Sequence, residues 1–133
     1  MNLKRVLLAD DSRVFRILMA DILREQGLEV LEAATGRDAL ELILSQRPQL
    51  LLLDGLLPLM SGFDVAKNVR EKSPDYNPVI FLVTGVYKSR SYEAEARRQY
   101  QVDEYLQKPL EPEDLLAAIG RHFPAFAGSP KKA

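Results

Sequence analysis

Five short apolar runs, separated by longer amphipathic segments, constrain the fold more than any other feature of the chain. They are RVLLA at 5–9, LEVLEA at 28–33, QLLLLD at 49–54, PVIFLVT at 78–84 and DEYLQK at 103–108. The first, third and fourth runs are almost wholly apolar, which is typical of central parallel strands covered on both faces. The second and fifth alternate more between polar and apolar residues, as strands near sheet edges do. We therefore predict five strands.

The segments between these runs have the spacing of amphipathic helices. From Ser12 to Gln26 one apolar row falls four residues apart, and a second row widens the stripe; the rows are Val14, Leu18 and Ile22, then Phe15, Met19 and Leu23. Gly27 is placed to end this helix, and Thr35 to cap the next. Further helices are predicted over about 63–71, 89–101 and 112–123. The order βαβαβαβαβα predicts an α/β fold, a doubly wound parallel sheet with helices on both faces.

Length and composition limit the classes of protein that fit this chain. Its 133 residues suffice for one domain with a substantial core. The net charge of −1 favours neither nucleic acid nor an anionic membrane, and the lack of cysteine excludes disulfides. No run approaches the roughly 18 apolar residues of a membrane span. We expect a cytoplasmic protein with one domain over 1–123 and a flexible tail or linker start over 124–133.

Polar residues fall at the predicted carboxyl ends of four strands, where ligands bind in open α/β sheets. They are Asp10 and Asp11, Asp54, Thr84 and Lys108. Two carboxylates about 4 Å apart repel by on the order of 4 kcal/mol at an effective dielectric of 20, so such a cluster needs a cation or raised pKa values. Carboxylate oxygens suit Mg²⁺. With a lysine and a hydroxyl nearby, the set could bind a phosphoryl group transferred to an aspartate.

Each of these residues also has a plainer interpretation. Asp10 or Asp11 could cap the first helix. Thr84 alone is typical of a strand end, and Lys108 alone is typical of a solvated surface. Asp54 is harder to explain in this way because strands are depleted in aspartate. The functional interpretation therefore depends on all of them meeting at one edge of the sheet.

Four motifs occur in order along the chain, each at the end of a predicted strand. They are DDS at 10–12, DGLLPLMSG at 54–62, VTG at 83–85 and YLQKP at 105–109. In these motifs the chain resembles the receiver domain of two-component response regulators, from about Leu3 to Phe123. It resembles in particular the chemotaxis-type regulators, which consist of a single receiver. The resemblance implies a (βα)5 flavodoxin-like sheet with strand order 2-1-3-4-5.

The resemblance also implies a role for each site residue. Asp54 is expected to be the phospho-acceptor. Asp11 is expected to ligate Mg²⁺ directly, Asp10 largely through water, and Leu56 through its backbone carbonyl. Lys108 is expected to pair with the phosphoryl group. A sensor histidine kinase or a histidine phosphotransfer protein would supply that group, so the chain is expected to be a signalling switch rather than an enzyme.

Two further residues are implied to report the phosphorylation state. Thr84 is expected to hydrogen-bond the phosphoryl group, and Tyr105 to change rotamer with it. The surface formed by the fourth predicted helix, the fifth strand and the fifth predicted helix would then regulate an effector protein or mediate a homodimer. The fourth predicted helix is mostly polar, so a solvated face is an alternative interpretation of that segment. No direct contact with nucleic acid is expected, because no basic tract or helix-turn-helix follows the fifth predicted helix.

Two apolar residues predict a long-lived phosphorylated state. Leu56 and Val86 lie two positions beyond Asp54 and Thr84, where an apolar side chain gives no help in orienting an attacking water. Only self-phosphorylation and slow self-dephosphorylation are therefore expected. The half-life of the radiolabelled phosphoprotein measures this, and a lifetime of seconds would contradict it.

Other functions fit the same kind of sheet. A receiver-like interaction module would work without phosphorylation, and its NMR spectrum would not change when beryllofluoride and Mg²⁺ are added. A haloacid-dehalogenase-like phosphatase uses Asp-x-Asp, whereas Asp54 is followed by Gly55 and Leu56, so no activity on aryl phosphates is expected. A flavin site would need a Ser/Thr/Gly-rich phosphate loop after the first strand, and the sequence has no such loop there.

Overall fold

The computed structural model describes residues 2–85, 94 and 97–126. Five strands form one parallel sheet: β1 Arg5–Ala9, β2 Glu29–Ala33, β3 Leu50–Asp54, β4 Val79–Thr84 and β5 Glu104–Gln107. The strand order is β2-β1-β3-β4-β5. The predicted strands and their predicted order are confirmed.

Four helices lie wholly within the described residues: α1 Arg13–Glu25, α2 Gly36–Gln46, α3 Gly62–Lys72 and α4 Pro112–His122. Residues 94 and 97–99, between β4 and β5, are helical as well. The α4 helix is the fifth helix of the sequence prediction, because most of the predicted helix over 89–101 lies outside the described residues. Sequence predicted several helix ends correctly. The Thr35 hydroxyl accepts a hydrogen bond from the Asp38 N–H at 3.0 Å, and Gly27 follows α1 with φ of 84°. None of the described helices combines the length and apolar character needed to cross a bilayer.

The helices cover both faces of the sheet and so divide the core into two layers. On one face α1 and α4 pack against alternate strand residues that include Val6, Leu8 and Leu52. On the other face α2 and α3 pack against the intervening residues, such as Leu7 and Leu51. All four leucines of β3 are at most 1% exposed. This burial on both faces explains why β3 has no polar residue before its last position.

Two residues of one apolar row predicted for α1 do not face the core. Val14 and Leu18 are 70% and 54% exposed, whereas Met19 and Leu23 of the neighbouring row are buried. Successive helical residues are rotated by about 100°, so the stripe that faces the sheet follows the row of Phe15, Met19 and Leu23, and of the other row only Ile22 packs partly against the core. The structure thus corrects the expectation for Val14 and Leu18. Their exposure leaves apolar surface beside the loop that begins at Asp10.

Candidate functional site

The predicted site residues meet at one edge of the sheet. Asp10 directly follows β1, Asp54 ends β3, Thr84 ends β4 and Lys108 directly follows β5. Because all strands are parallel, these positions share the carboxyl edge. The register pairs Asp54 with Val83 and Thr84 with Gln107, which sets the last residues of these strands side by side.

Three carboxylates converge at this edge. One oxygen from each of Asp10, Asp11 and Asp54 lies within 4.8 Å of the others. Asp10 and Asp54 are buried, at 1% and 7% exposure, while Asp11 is exposed. The cluster is therefore enclosed on the protein side and open toward solvent at Asp11.

Lys108 supplies the opposing charge within the cluster. Its Nζ lies 2.7 Å from Asp10 Oδ2 and 3.4 Å from Asp54 Oδ2. The same ammonium lies 4.4 Å from the centroid of the Phe15 ring, a cation–π distance. The sequence places Phe15 in the apolar stripe of α1 and does not predict this contact, because Phe15 and Lys108 are about ninety residues apart in the chain.

Burial and charge shift two pKa values in the cluster. Burial raises the pKa of Asp10, the Asp54 charge adds to this, and the close Lys108 ammonium and the hydrogen bond from Ser12 offset only part of the rise. Burial by itself would lower the pKa of Lys108, but contacts with Asp10 and Asp54 outweigh it and raise the pKa overall. Lys108 is therefore held as an ammonium, and a further cation beside Asp10 would favour its charged form.

The donor set fits a hard divalent cation. Among the described residues, Asp10 Oδ2 is buried without a hydrogen bond of good geometry, although Lys108 Nζ is close enough for an ion pair. Carboxylate oxygens with an open side for water match the preference of Mg²⁺. Asp10, Asp11 and Asp54 are the residues that could hold it.

The loop after β3 is fixed against the phospho-acceptor candidate. The Leu56 N–H donates to Asp54 Oδ1 at 3.0 Å, so the carboxylate is oriented by its own chain. Farther along, the Gly62 N–H donates to the Gly55 carbonyl at 3.2 Å, and the Gly36 N–H of α2 donates to the Pro58 carbonyl at 3.1 Å. The loop is thus held at both ends. The expected role of the Leu56 carbonyl stays a prediction.

Thr84 and Tyr105 are both buried. Thr84 is 1% exposed, and its carbonyl accepts a hydrogen bond from the Lys108 N–H at 3.1 Å. Tyr105 is 7% exposed and pairs in register with Leu82. Thr84 lies at the carboxyl edge, whereas Tyr105 lies two register positions before that edge. Their roles and their coupled movement stay predictions.

The segment between β4 and β5 is only partly described. Val86 and most of the predicted helix over 89–101 lie outside the described residues. Within the described part, Arg70 of α3 donates to the Gln101 carbonyl at 2.8 Å, and its guanidinium lies 3.4 Å from Asp103 Oδ2. The Asp103 carboxylate in turn accepts from the Ile80 N–H at 2.8 Å. Arg70 therefore ties α3 to the segment that leads into β5, a connection that the sequence did not reveal.

Comparison with known proteins agrees with this arrangement. Residues 6–120 match the family model described as the response regulator receiver domain. The chain is 31% identical over 123 residues to Protein PilG of Pseudomonas aeruginosa, which covers 92% of this chain and 89% of that protein. A 36% identity to the transcriptional regulatory protein DltR of Streptococcus agalactiae covers 86% of this chain but only 50% of that protein.

Solved structures show the same fold. A CheY-like response regulator receiver domain protein from Methanospirillum hungatei superposes with a TM-score of 0.82 at 31% identity, covering 92% of this chain and 95% of that one. Receiver domains of this family are signalling domains of two-component systems rather than conventional enzymes. The family model, the similar proteins and the edge where acid pair, aspartate, threonine and lysine meet all agree, and the chain belongs to the response regulator receiver domain family.

Proposed function

We propose that this chain is a phosphorylation-controlled switch that accepts a phosphoryl group on Asp54. The observation that carries the proposal is the cluster at the carboxyl edge, where Asp54 ends a fully buried strand beside Asp10, Asp11 and Lys108. The rigid strand fixes the carboxylate, and the open side at Asp11 lets a donor approach. A sensor histidine kinase or a histidine phosphotransfer protein is the proposed donor.

The proposed reaction is a direct displacement at phosphorus. An Asp54 carboxylate oxygen forms a P–O bond as the P–N bond to the donor imidazole breaks, and the departing nitrogen takes up a proton. Lys108 lies where it can pair with the developing charge. Mg²⁺ held by Asp10, Asp11, Asp54 and the Leu56 carbonyl would neutralise charge on the phosphoryl oxygens.

The phosphoryl group would change the contacts of the residues around it. It adds negative charge and strong acceptors beside Thr84 and Lys108, which lie at the ends of β4 and β5. Movement of Thr84 toward the new acceptors would alter the packing of Tyr105 on β5. The surface of the fourth predicted helix, β5 and α4 would then regulate an effector or form a homodimer.

An exposed apolar surface on α1 is the proposed contact for the donor. We define the α1 apolar patch as Val14, Ile17 and Leu18, which are 70%, 44% and 54% exposed. The patch lies on the first two turns of α1, which begins two residues after Asp11. Exposed apolar clusters beside a reactive group are typical of protein contacts. A donor seated on this patch would place its phosphohistidine near Asp54.

Replacing Leu18 with aspartate is expected to separate the two kinds of donor. The variant should accept a phosphoryl group from a protein donor roughly tenfold more slowly, since a charge in an apolar contact costs about 1–3 kcal/mol. Its rate with the small donor phosphoramidate should match wild type, because Leu18 is not part of the carboxylate cluster. Phosphotransfer reactions that are quenched at set times measure both rates. Equal slowing with both donors would contradict the docking role.

The proposed function is tested with phosphoramidate or beryllofluoride in the presence of Mg²⁺. Intact-mass measurement should show one phosphoryl group per chain, and beryllofluoride should shift amide resonances of residues 54–56, 84 and 105–108. Mg²⁺ alone and beryllofluoride alone are the controls. If neither reagent changes the protein, the switch is wrong and an interaction module that works without phosphorylation takes its place.

A further inference from the structure

An arginine outside the carboxylate cluster holds the loop that carries the acid pair. Arg16, on α1, donates from Nη1 to the Asp10 backbone carbonyl at 2.8 Å. Its Nε lies 3.1 Å from Glu32 Oε1 on the edge strand β2. The Arg16 side chain is only 18% exposed. The guanidinium is therefore anchored to β2 at one end and to the site loop at the other.

The carbonyl that Arg16 holds belongs to the peptide unit that joins the two acids. The Asp10 N–H donates to the Ala33 carbonyl at 3.0 Å, and Asp10 Oδ1 accepts from the Ser12 N–H at 2.8 Å. These bonds fix the start of the loop and the Asp10 carboxylate. The Arg16 bond fixes the plane of the next peptide, and that plane sets the direction in which the exposed Asp11 side chain leaves the backbone.

We propose that Arg16, held by Glu32, is a positioning residue for the acid pair and thereby for the cation that the pair binds. The inference rests on the proposed function, because it assigns a role in forming that same site. A planar guanidinium can satisfy Glu32 and the Asp10 carbonyl together. A hydrogen bond from a charged donor is stronger than a neutral one, so it restrains the peptide plane well. Residues that orient ligands in this way tune cation affinity without touching the ion.

Arg24 offers a matched control on the same helix. It lies two turns after Arg16 and binds the other oxygen of the same carboxylate, with Nη2 at 3.1 Å from Glu32 Oε2. Its further hydrogen bond goes to the Val30 carbonyl on β2 at 3.2 Å, rather than to the site loop. Removing Arg24 therefore breaks an ion pair to Glu32 while leaving the Asp10 carbonyl held.

The first measurement is the Mg²⁺ dissociation constant, obtained from NMR titrations of wild type, Arg16→Ala and Arg24→Ala. We expect roughly tenfold weaker binding for Arg16→Ala, the lower end of the usual range for residues that orient metal ligands. Arg24→Ala should bind Mg²⁺ as wild type does. Urea unfolding of both variants shows how much stability each ion pair contributes, so that a loss of affinity is not mistaken for unfolding.

The second measurement needs no ion. Without the Arg16 bond the loop should open more often, so amide hydrogen exchange at Ser12 should become faster in Arg16→Ala and stay unchanged in Arg24→Ala. Arg16→Lys should restore exchange protection only in part, because an ammonium lacks the fork that spans both partners.

The outcomes separate this inference from the proposed function. Unchanged Mg²⁺ affinity and Ser12 exchange in Arg16→Ala would overturn the positioning role, as would equal changes in Arg16→Ala and Arg24→Ala. If wild type itself fails to bind Mg²⁺, the proposed function fails. In that case the contrast in Ser12 exchange still decides whether Arg16 positions the loop.

Discussion

Replacing Asp54 with asparagine is expected to abolish phosphoryl transfer to this chain from both protein and small-molecule donors. The amide has nearly the shape of the carboxylate, and its oxygen can still accept the hydrogen bond from the Leu56 N–H. It lacks the charged oxygen that attacks phosphorus and cannot form the acyl phosphate. Intact-mass measurement after incubation with phosphoramidate and Mg²⁺ should show no added phosphoryl group.

The same substitution should raise the stability of the ion-free protein. Carboxylate oxygens of Asp10 and Asp54 lie within 4.8 Å of each other, so the two like charges repel, in line with the raised pKa of Asp10. Removing one of them relieves that repulsion by on the order of 1 kcal/mol, since Lys108 already offsets part of it. Asp21→Asn, at an exposed position on α1, is the control for this change in stability.

Phosphoryl uptake by Asp54→Asn at the wild-type level would show that another residue is the acceptor.

Replacing Gly62 with alanine is expected to disturb both the fold and the site. A Cβ at this first residue of α3 would lie 2.2 Å from the carbonyl oxygen of Asp54 and 3.2 Å from the α-carbon of Gly55. Both neighbours are backbone atoms and cannot rotate away, so α3 or the end of β3 must shift. Overpacking of this kind costs about 1–3 kcal/mol or more. Urea unfolding should show this loss, and phosphorylation by phosphoramidate should slow.

Gly120→Ala is the matched control for that substitution. Gly120 lies within α4, and a Cβ there would meet nothing within 4 Å. Alanine at this helical position should stabilise the protein by about 0.5–1 kcal/mol, because glycine loses more backbone freedom on folding. If Gly62→Ala is as stable as Gly120→Ala, the close packing of α3 against Asp54 is wrong.

The strands and their ends follow directly from the sequence, because burial on both faces of the sheet leaves an uninterrupted run of apolar residues. The run from Leu50 to Leu53 admits no polar residue, so the strand and its end at Asp54 were visible without a structure. Helix faces do not follow from the sequence as directly. Val14 and Phe15 are equally apolar, and the choice of Phe15 depends on how α1 lies across the sheet.

The sequence predicts the site residues that lie at strand ends. It does not predict the contacts between residues that are far apart in the chain. Asp10, Asp54 and Lys108 could be placed at one edge from topology alone. The contacts of Arg16 with the Asp10 carbonyl and of Lys108 with the Phe15 ring have no sequence signal, because arginine and phenylalanine on a helix usually serve solvation and packing. Four motifs could identify the acids, but not the residues that hold their backbone.

The buried strand β3 also bears on how this protein behaves when it unfolds. From Leu50 to Met60 the chain is apolar apart from Asp54, with Gly55 and Pro58 as its other interruptions. Segments with high strand propensity and little charge are prone to aggregate once exposed. The Asp54 charge interrupts the longest such segment, so the residue proposed to carry the signal would also act as a gatekeeper against aggregation during folding.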